Sequence, residues 1–399
     1  MKSPLKTILF GLTALFLFLP LMEQHLHFLN FRPLSGVVKE PKQPTPGLKG
    51  FRDHSQQRWS EEYLKLNYGL REPLTRLYNQ YLWDFYDMAN LKNKKWIYIS
   101  DDGWFYESPN MEEFYRGKFR KYSTDSLDMA NKLDEETSRL YQLQKILEQY
   151  GVHFFVLLEP GKEQVYPEHV PYTTNYPGEK KISATEYFSR KFKEVGVNHI
   201  DVGSWFLSIK DTVDYPLFPQ SGIHWSNIAA IHVADSLVRY MEWLGDKRLN
   251  HFIIGEKYAK TVEPDDDLEQ VLNLARPLKK TTNYYADVTM ENDTTADRPV
   301  ILTIGDSFYW NILNCTPLGS VMGNVPYWFY FHTVYFDGPK HDLDMTKAKD
   351  KILSADFVML AYSTPQIYDL LSNGFSQSML DALSEETKPA NTSGDGIQQ

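Results

Sequence analysis

The sequence predicts an α/β protein built on a doubly wound, mainly parallel sheet, and three observations carry that prediction. From residue 125 onward, short strand-like runs alternate with amphipathic helical stretches, the order that crossover connections between parallel strands require. The clearest of those runs, "VHFFVLLEP" at 152–160, reads as a strand buried on both faces. The chain has 399 residues, 42% of them hydrophobic, enough for one large core.

At the N-terminus, Lys2 and Lys6 precede an uncharged, mostly apolar run from Thr7 to Met22. No small-x-small cleavage site closes it, so residues 1–25 are expected to be an uncleaved signal anchor, with a cleaved signal or a lipid-surface segment as the alternatives for so short a run. With the lysines held inside, the rest of the chain would lie outside the cytoplasm, on the periplasmic face of a bacterial inner membrane. Residues 26–50 are expected to be a linker, with "PLSGVVKEPKQPTPGLKG" at 33–50 rich in Pro, Gly and Lys. The folded domain is placed at 51–383. It opens with two helical patterns between Gln56 and Ala89, with Gly69 as a stop residue and Pro73 near the second start. The run "KKWIYISDDGWFYE" predicts a hairpin turning at Asp102-Gly103. Residues 51–124 are expected to pack as one layer of the α/β domain.

The alternating region begins with an amphipathic helix over 125–151 that stops at Gly151, followed by the strand at 152–160. A helix over 183–196, a strand at 197–203 and a helix over 226–245 come next, the last with Ile228, Ile231, Ala234, Leu237, Val238 and Met241 on one apolar side. "PVILTIGD" is a strand feeding a helix from about Ser307, and "ADFVMLAYS" is a last strand. Residues 384–399 lack apolar content and are expected to be a disordered tail.

The net charge of −10 argues against nucleic acid as a partner, because phosphate-binding surfaces need clustered Lys and Arg. The single cysteine, Cys315, excludes an intrachain disulfide and a multi-cysteine zinc site. No metal or other cofactor is expected. Aromatic residues make up 15% of the chain, which suits a heavily aromatic core or surfaces that stack on sugar faces.

Reactive groups in open parallel sheets collect beyond the carboxyl ends of the strands. Gly305-Asp306-Ser307 stands at such an end, before a helix. Ser307 there reads as a nucleophile over backbone N–H groups able to hold an oxyanion, or, more simply, Asp306 or Ser307 caps the helix. A serine nucleophile needs a base. His224, in "SGIHWS" at a loop-to-helix junction, is the best placed of the eleven histidines, since the positive end of a helix dipole keeps imidazole neutral. His153 and His199 read as structural, and His169 is open.

Several segments in order resemble the polysaccharide O-acetyltransferases of the alginate acetylation type, which carry an SGNH hydrolase-like domain. "NYGLRE", "DDGWFYE", "LLEPGKEQVYPEHVP", "GIHWS" and "TIGDSF" each resemble a family segment. The third carries Pro160, Lys162, Tyr166, Pro167 and Glu168. The resemblance implies Ser307 as the acetyl-accepting nucleophile and His224 as its base, in the permuted motif order with His before Ser. Gly305, Asp306, Trp225, Lys162 and Tyr166 are then supporting or substrate-binding residues. It also implies a polysaccharide substrate and a multi-pass membrane acyltransferase as acetyl supplier. One departure stands out: the family's aspartate two positions before the histidine is here Gly222. Three explanations are open. Asp214, Asp201 or Glu159 substitutes as the orienting acid, a backbone carbonyl holds the imidazole, or the site is degenerate. The expected function is O-acetyl transfer, or acetyl-ester hydrolysis, on a cell-surface or exported polysaccharide. A catalytically silent carbohydrate-binding or assembly subunit is the alternative.

Overall fold

In the computed structural model the chain forms two compact units, Met1–Lys95 with Asp267–Lys279, and Trp96–Asp266 with Lys280–Gln399. The structure describes residues 4–36, 40–45, 47–86, 96–116, 126–172, 179–260, 265–278, 282–364, 366–367 and 374–384. The expected tail lies outside the described residues from 385 onward.

The second unit is organised by a seven-stranded sheet. Its strands are β1 (His153–Glu159), β2 (His199–Asp201), β3 (Ile301–Gly305), β4 (Tyr327–Phe329), β5 (Thr333–Tyr335), β6 (His341–Asp342) and β7 (Phe357–Ser363). They lie in the order β6-β5-β4-β3-β7-β1-β2. Strands β4, β3, β7, β1 and β2 are mutually parallel, and β5 and β6 extend the edge antiparallel.

Successive residues of the central strands serve opposite cores, as the pleat requires. Phe155, Leu157, Met359 and Ala361 join the buried face of helix Asn227–Gly245 and helix Phe308–Cys315. Phe154, Val156, Leu158, Val358 and Leu360 join helices Ser126–Gln149 and Ala184–Val195 on the other side. Helix Ala184–Val195 starts where Ser183 and Glu186 form a reciprocal capping box and ends at Gly196 in the left-handed region, φ 93°. These elements agree with the doubly wound expectation to within a few residues at each end.

The predicted hairpin forms as Ile97–Ile99 against Phe105–Glu107. The antiparallel edge β4-β5-β6 was not expected from the sequence. Its strands have two or three residues each, too short to show a period. Two short antiparallel pairs, Phe252–Ile254 with Val288–Met290 and Tyr258–Lys260 with Asn283–Tyr285, escape for the same reason.

The first unit is helical: Pro4–Leu26, Ser55–Asn67, Arg71–Tyr86 and Asp267–Leu272. Of the stretch 51–124 expected to pack as one layer, the described residues up to 86 lie in this unit, whereas Tyr98, Trp104, Tyr106, Met111, Phe114 and Tyr115 join the core of the second unit. Helix Ser55–Asn67 buries no residue. In helix Arg71–Tyr86 the buried residues are Asn79 and Gln80. Asn79 Nδ2 donates to the Leu272 carbonyl at 2.7 Å, and Gln80 Oε1 accepts from Arg276 N at 3.0 Å.

The stretch read as a linker is also tied down where it is described. Arg76 donates to the carbonyls of Arg32 (2.8 Å) and Pro33 (2.9 Å), while Ser35 and Asn273 exchange two bonds of 2.8 and 3.0 Å. Gly69 has a role other than the expected helix stop: a Cβ there would collide with the Pro20 carbonyl and stand 2.6 Å from Gln24 N. The far end of the N-terminal helix therefore sits directly on the turn between the two helices of this unit.

Candidate active site

Because β1, β3, β7 and β2 run parallel, Glu159, Gly305, Ser363 and Asp201 end at one edge of the sheet. Strand β3 delivers the chain to Ser307 through a tight passage. A Cβ at Gly305 would collide with the Ala361 carbonyl and lie 3.0 Å from the Ala361 Cβ, so only glycine lets β3 lie this close to β7. Ser307 takes helical angles, φ −64° and ψ −16°, at the start of helix Phe308–Cys315, and its side chain makes no capping bond. The hydroxyl instead meets His224, with Oγ and Nε2 2.9 Å apart. Both residues are half-buried, so the pair is open to solvent from one side.

His224 is aimed by its neighbours. Trp225 is fully buried, edge-on to Phe206 and Phe308, and this turns the preceding residue outward. Phe308, next to Ser307, packs edge-on against the imidazole with ring centroids 4.9 Å apart. Ser226 caps helix Asn227–Gly245 through Ala229 N, and its hydroxyl donates to the Pro216 carbonyl at 2.6 Å.

The loop before His224 is held by two residues singled out in the sequence. Lys162 is buried, and its Nζ donates to the carbonyls of Pro219 (3.2 Å), Gln220 (3.1 Å) and Gly222 (2.6 Å). The ammonium also lies over the rings of Trp104 and Tyr106, 5.8 and 5.3 Å from their centroids. Tyr166 accepts from Leu217 N at 3.0 Å through its hydroxyl. Both residues thus hold the loop that leads into His224.

The structure corrects the expected orienting acids. Asp214 is a surface residue paired with Lys257. Asp201 caps helix Val202–Ile209 and takes bonds from Ser189 and Ser204. Glu159 is completely buried against Asp306. None of the three is bonded to His224. Gly222 itself leaves no space for the aspartate its position would otherwise carry: a Cβ would lie 2.6 Å from Pro219 Cγ and 2.9 Å from the Asp265 carbonyl oxygen. The segment at Asp265 occupies that place, and Asp265, also buried, accepts from the Tyr285 hydroxyl at 2.7 Å.

Asp306 organises the floor of the site. Its carboxylate accepts from Phe308 N (3.0 Å), Ser363 N (2.8 Å) and Ser363 Oγ (2.5 Å), and Tyr327 donates to its carbonyl. The Phe308 amide expected to help hold an oxyanion is thus already used, while Ser307 N–H has no acceptor among the described residues. Burial raises the Asp306 pKa, opposed by the bonds from Ser363 and Phe308. Complete burial, and then the charge of Asp306, lifts Glu159 well above the usual carboxylate range. Neither Glu159 carboxyl oxygen has a hydrogen-bond partner among the described residues, and burial beside the Asp306 carboxylate favours its neutral, protonated form.

That proton gives a pH signature with a definite sign. An unfolded glutamate loses its proton near 4.5, whereas folded Glu159 keeps it to higher pH. The stabilising proton is fully present below that value, and stability falls as pH rises above it toward the raised folded pKa. Glu159→Gln fills the same space without a titrating group and removes this dependence. The melting temperature of the variant relative to wild type should therefore rise between about pH 5 and pH 8, read by thermal unfolding. A constant difference would show that Glu159 is ionised in the fold.

Sequence reasoning missed Ser363, Tyr327, Phe308 and Asp265 as parts of the site. Only Ser363, at the end of the predicted last strand, carried a signal that could have found it.

The family model of the SGNH hydrolase-like domain of the acetyltransferase AlgX matches residues 97–309, more than half of the chain and the stretch that holds Lys162, His224 and Ser307. Among solved structures, the O-acetyltransferase domain of Pseudomonas putida AlgJ is 16% identical, with 68% of this chain and 92% of that one covered and a TM-score of 0.40. Pseudomonas aeruginosa AlgX is 14% identical over 68% of this chain and 64% of its own, with a TM-score of 0.42. Bacillus cereus PatB1 bearing a sulfonyl adduct is 11% identical over 68% and 95%, with a TM-score of 0.43. No curated protein sequence matches.

Proposed function

The chain belongs to the AlgX family of SGNH hydrolase-like acetyltransferase domains, and from that premise we propose that it is an extracytoplasmic O-acetyltransferase of a cell-surface or exported polysaccharide. The observation that carries the reading is the 2.9 Å approach of Ser307 Oγ to His224 Nε2 at the carboxyl edge of the sheet. His224 takes the hydroxyl proton as Oγ bonds to the donor's acyl carbon. The oxyanion forms beside the Ser307 N–H, which supports it. Collapse of the tetrahedral intermediate breaks the bond to the donor, whose leaving oxygen receives the proton from His224. A sugar hydroxyl then gives its proton to His224 and takes the acetyl group, which returns Ser307 to its starting state.

Packing by Trp225 and Phe308 and the Lys162 clamp favour this chemistry although no aspartate stands at position 222. Helix Pro4–Leu26, long and apolar enough to cross a bilayer, serves as the anchor in this reading. The acetyl group is supplied by a membrane acyltransferase, since acetyl thioesters are cytoplasmic.

The test is to trap the acetyl-enzyme. Purified full-length chain is mixed with a small activated acetyl ester, quenched in acid and digested, and one acetyl group is expected on Ser307 by mass spectrometry. Acetyl found on other residues, or on none, would defeat the proposal and leave the carbohydrate-binding reading.

A further inference from the structure

Helix Arg71–Tyr86 is built inside out for a helix in water. The residues it buries are Asn79 and Gln80, while Leu74, Leu77, Tyr78, Tyr81 and Phe85 are 47%, 60%, 53%, 49% and 73% exposed. The spacing i, i+3, i+4, i+7, i+11 places all five on one side of the helix. Tyr81 packs on Phe85 and on Tyr86, with centroids 5.0 and 5.9 Å apart, so the stripe is a continuous aromatic surface. Soluble surfaces carry scattered apolar residues, whereas a contiguous stripe marks something that covers it.

We propose that a lipid bilayer covers it, and that helix Arg71–Tyr86 lies along the outer membrane–water boundary beside the N-terminal span. The inference rests on the reading of helix Pro4–Leu26 as a membrane anchor. What selects lipid over a protein partner is the seat at Gly69. Pro20, Glu23 and Gln24, near the end of the N-terminal helix remote from its lysines, crowd against that glycine, and helix Arg71–Tyr86 begins two residues later. Chain leaving the bilayer at Pro20–Leu26 therefore turns the second helix out at the depth of the headgroups. The residues it presents there are of the types that favour this depth, tyrosines and phenylalanine flanked by leucines. Its inward face is meanwhile fixed by Asn79 and Gln80 to the segment 272–276.

The experiment uses the full chain in vesicles of phosphatidylethanolamine and phosphatidylglycerol containing lipids spin-labelled near the headgroup. In a Cys315→Ala background, a fluorophore is placed at one of Leu12→Cys, Leu77→Cys, Phe85→Cys or Ser138→Cys, all exposed positions whose labelling leaves the packing intact. Loss of most of the fluorescence is expected at 77 and 85, with none at 138. Quenching at 12 without quenching at 77 and 85 would overturn the proposal while leaving the anchor in place. No quenching at any position would remove the anchor and the proposal together. Cross-linking of 77 or 85 to a second copy, in place of quenching, would assign the stripe to self-association and also overturn it.

Discussion

Ser307→Ala is expected to lower kcat/KM for a small acetyl ester by about 10⁴-fold or more, with the melting temperature unchanged. The hydroxyl is only half-buried and makes no capping bond, so its removal costs the fold little and the reaction its nucleophile. His224→Ala is expected to cost nearly as much. The double variant should be no worse than either single one, because two groups that act as a unit fail together. Rates of ester hydrolysis and of transfer to an oligosaccharide acceptor, measured side by side, check this. Equal rates in wild type and both single variants would end the enzymatic reading. Multiplicative losses in the double variant would mean that the two residues act separately despite their 2.9 Å contact.

The serine and the histidine were legible because each stands at a punctuation mark in the sequence. Ser307 follows an apolar run that can only be a strand, and His224 precedes a long amphipathic helix with a serine cap. What orients the histidine was not legible. Sequence distance gives no measure of which loop crosses which, and Gly222 reads as a missing carboxylate until Pro219 and the Asp265 carbonyl are seen to fill its side-chain space. Asp214, Asp201 and Glu159 were reasonable candidates by strand-end or loop position, yet Asp214 and Asp201 are committed by bonds and Glu159 is sealed by burial, all of which only the folded chain creates. The parallel sheet was readable from long apolar strands, and the antiparallel edge was not, because three residues cannot show an alternation. Helix Arg71–Tyr86 misled in the opposite way. Its apolar spacing is helical and correct, but the face it marks points outward, so periodicity gave the element and the wrong environment for it.

Lys162→Met is expected to separate a clamp from a substrate ligand. A substrate-binding lysine would, when lost, raise KM and leave stability alone. The bonds of Lys162 to the carbonyls of Pro219, Gln220 and Gly222 make the opposite prediction. Removing the ammonium leaves buried carbonyls without their donor, at a cost of about 1–3 kcal/mol for each that finds no replacement. Methionine fills much the same volume but offers no proton, so the loop from 219 to 222 must shift to reach water. That loop ends one residue before Ile223-His224, and a displacement of about 1 Å at the imidazole is enough to lower kcat roughly 100-fold. The expected result is a lower melting temperature and a kcat loss far larger than any change in KM. Arg should not rescue it, because the planar fork cannot converge on a point where a compact ammonium serves three carbonyls. An unchanged melting temperature with a raised KM would return Lys162 to the substrate.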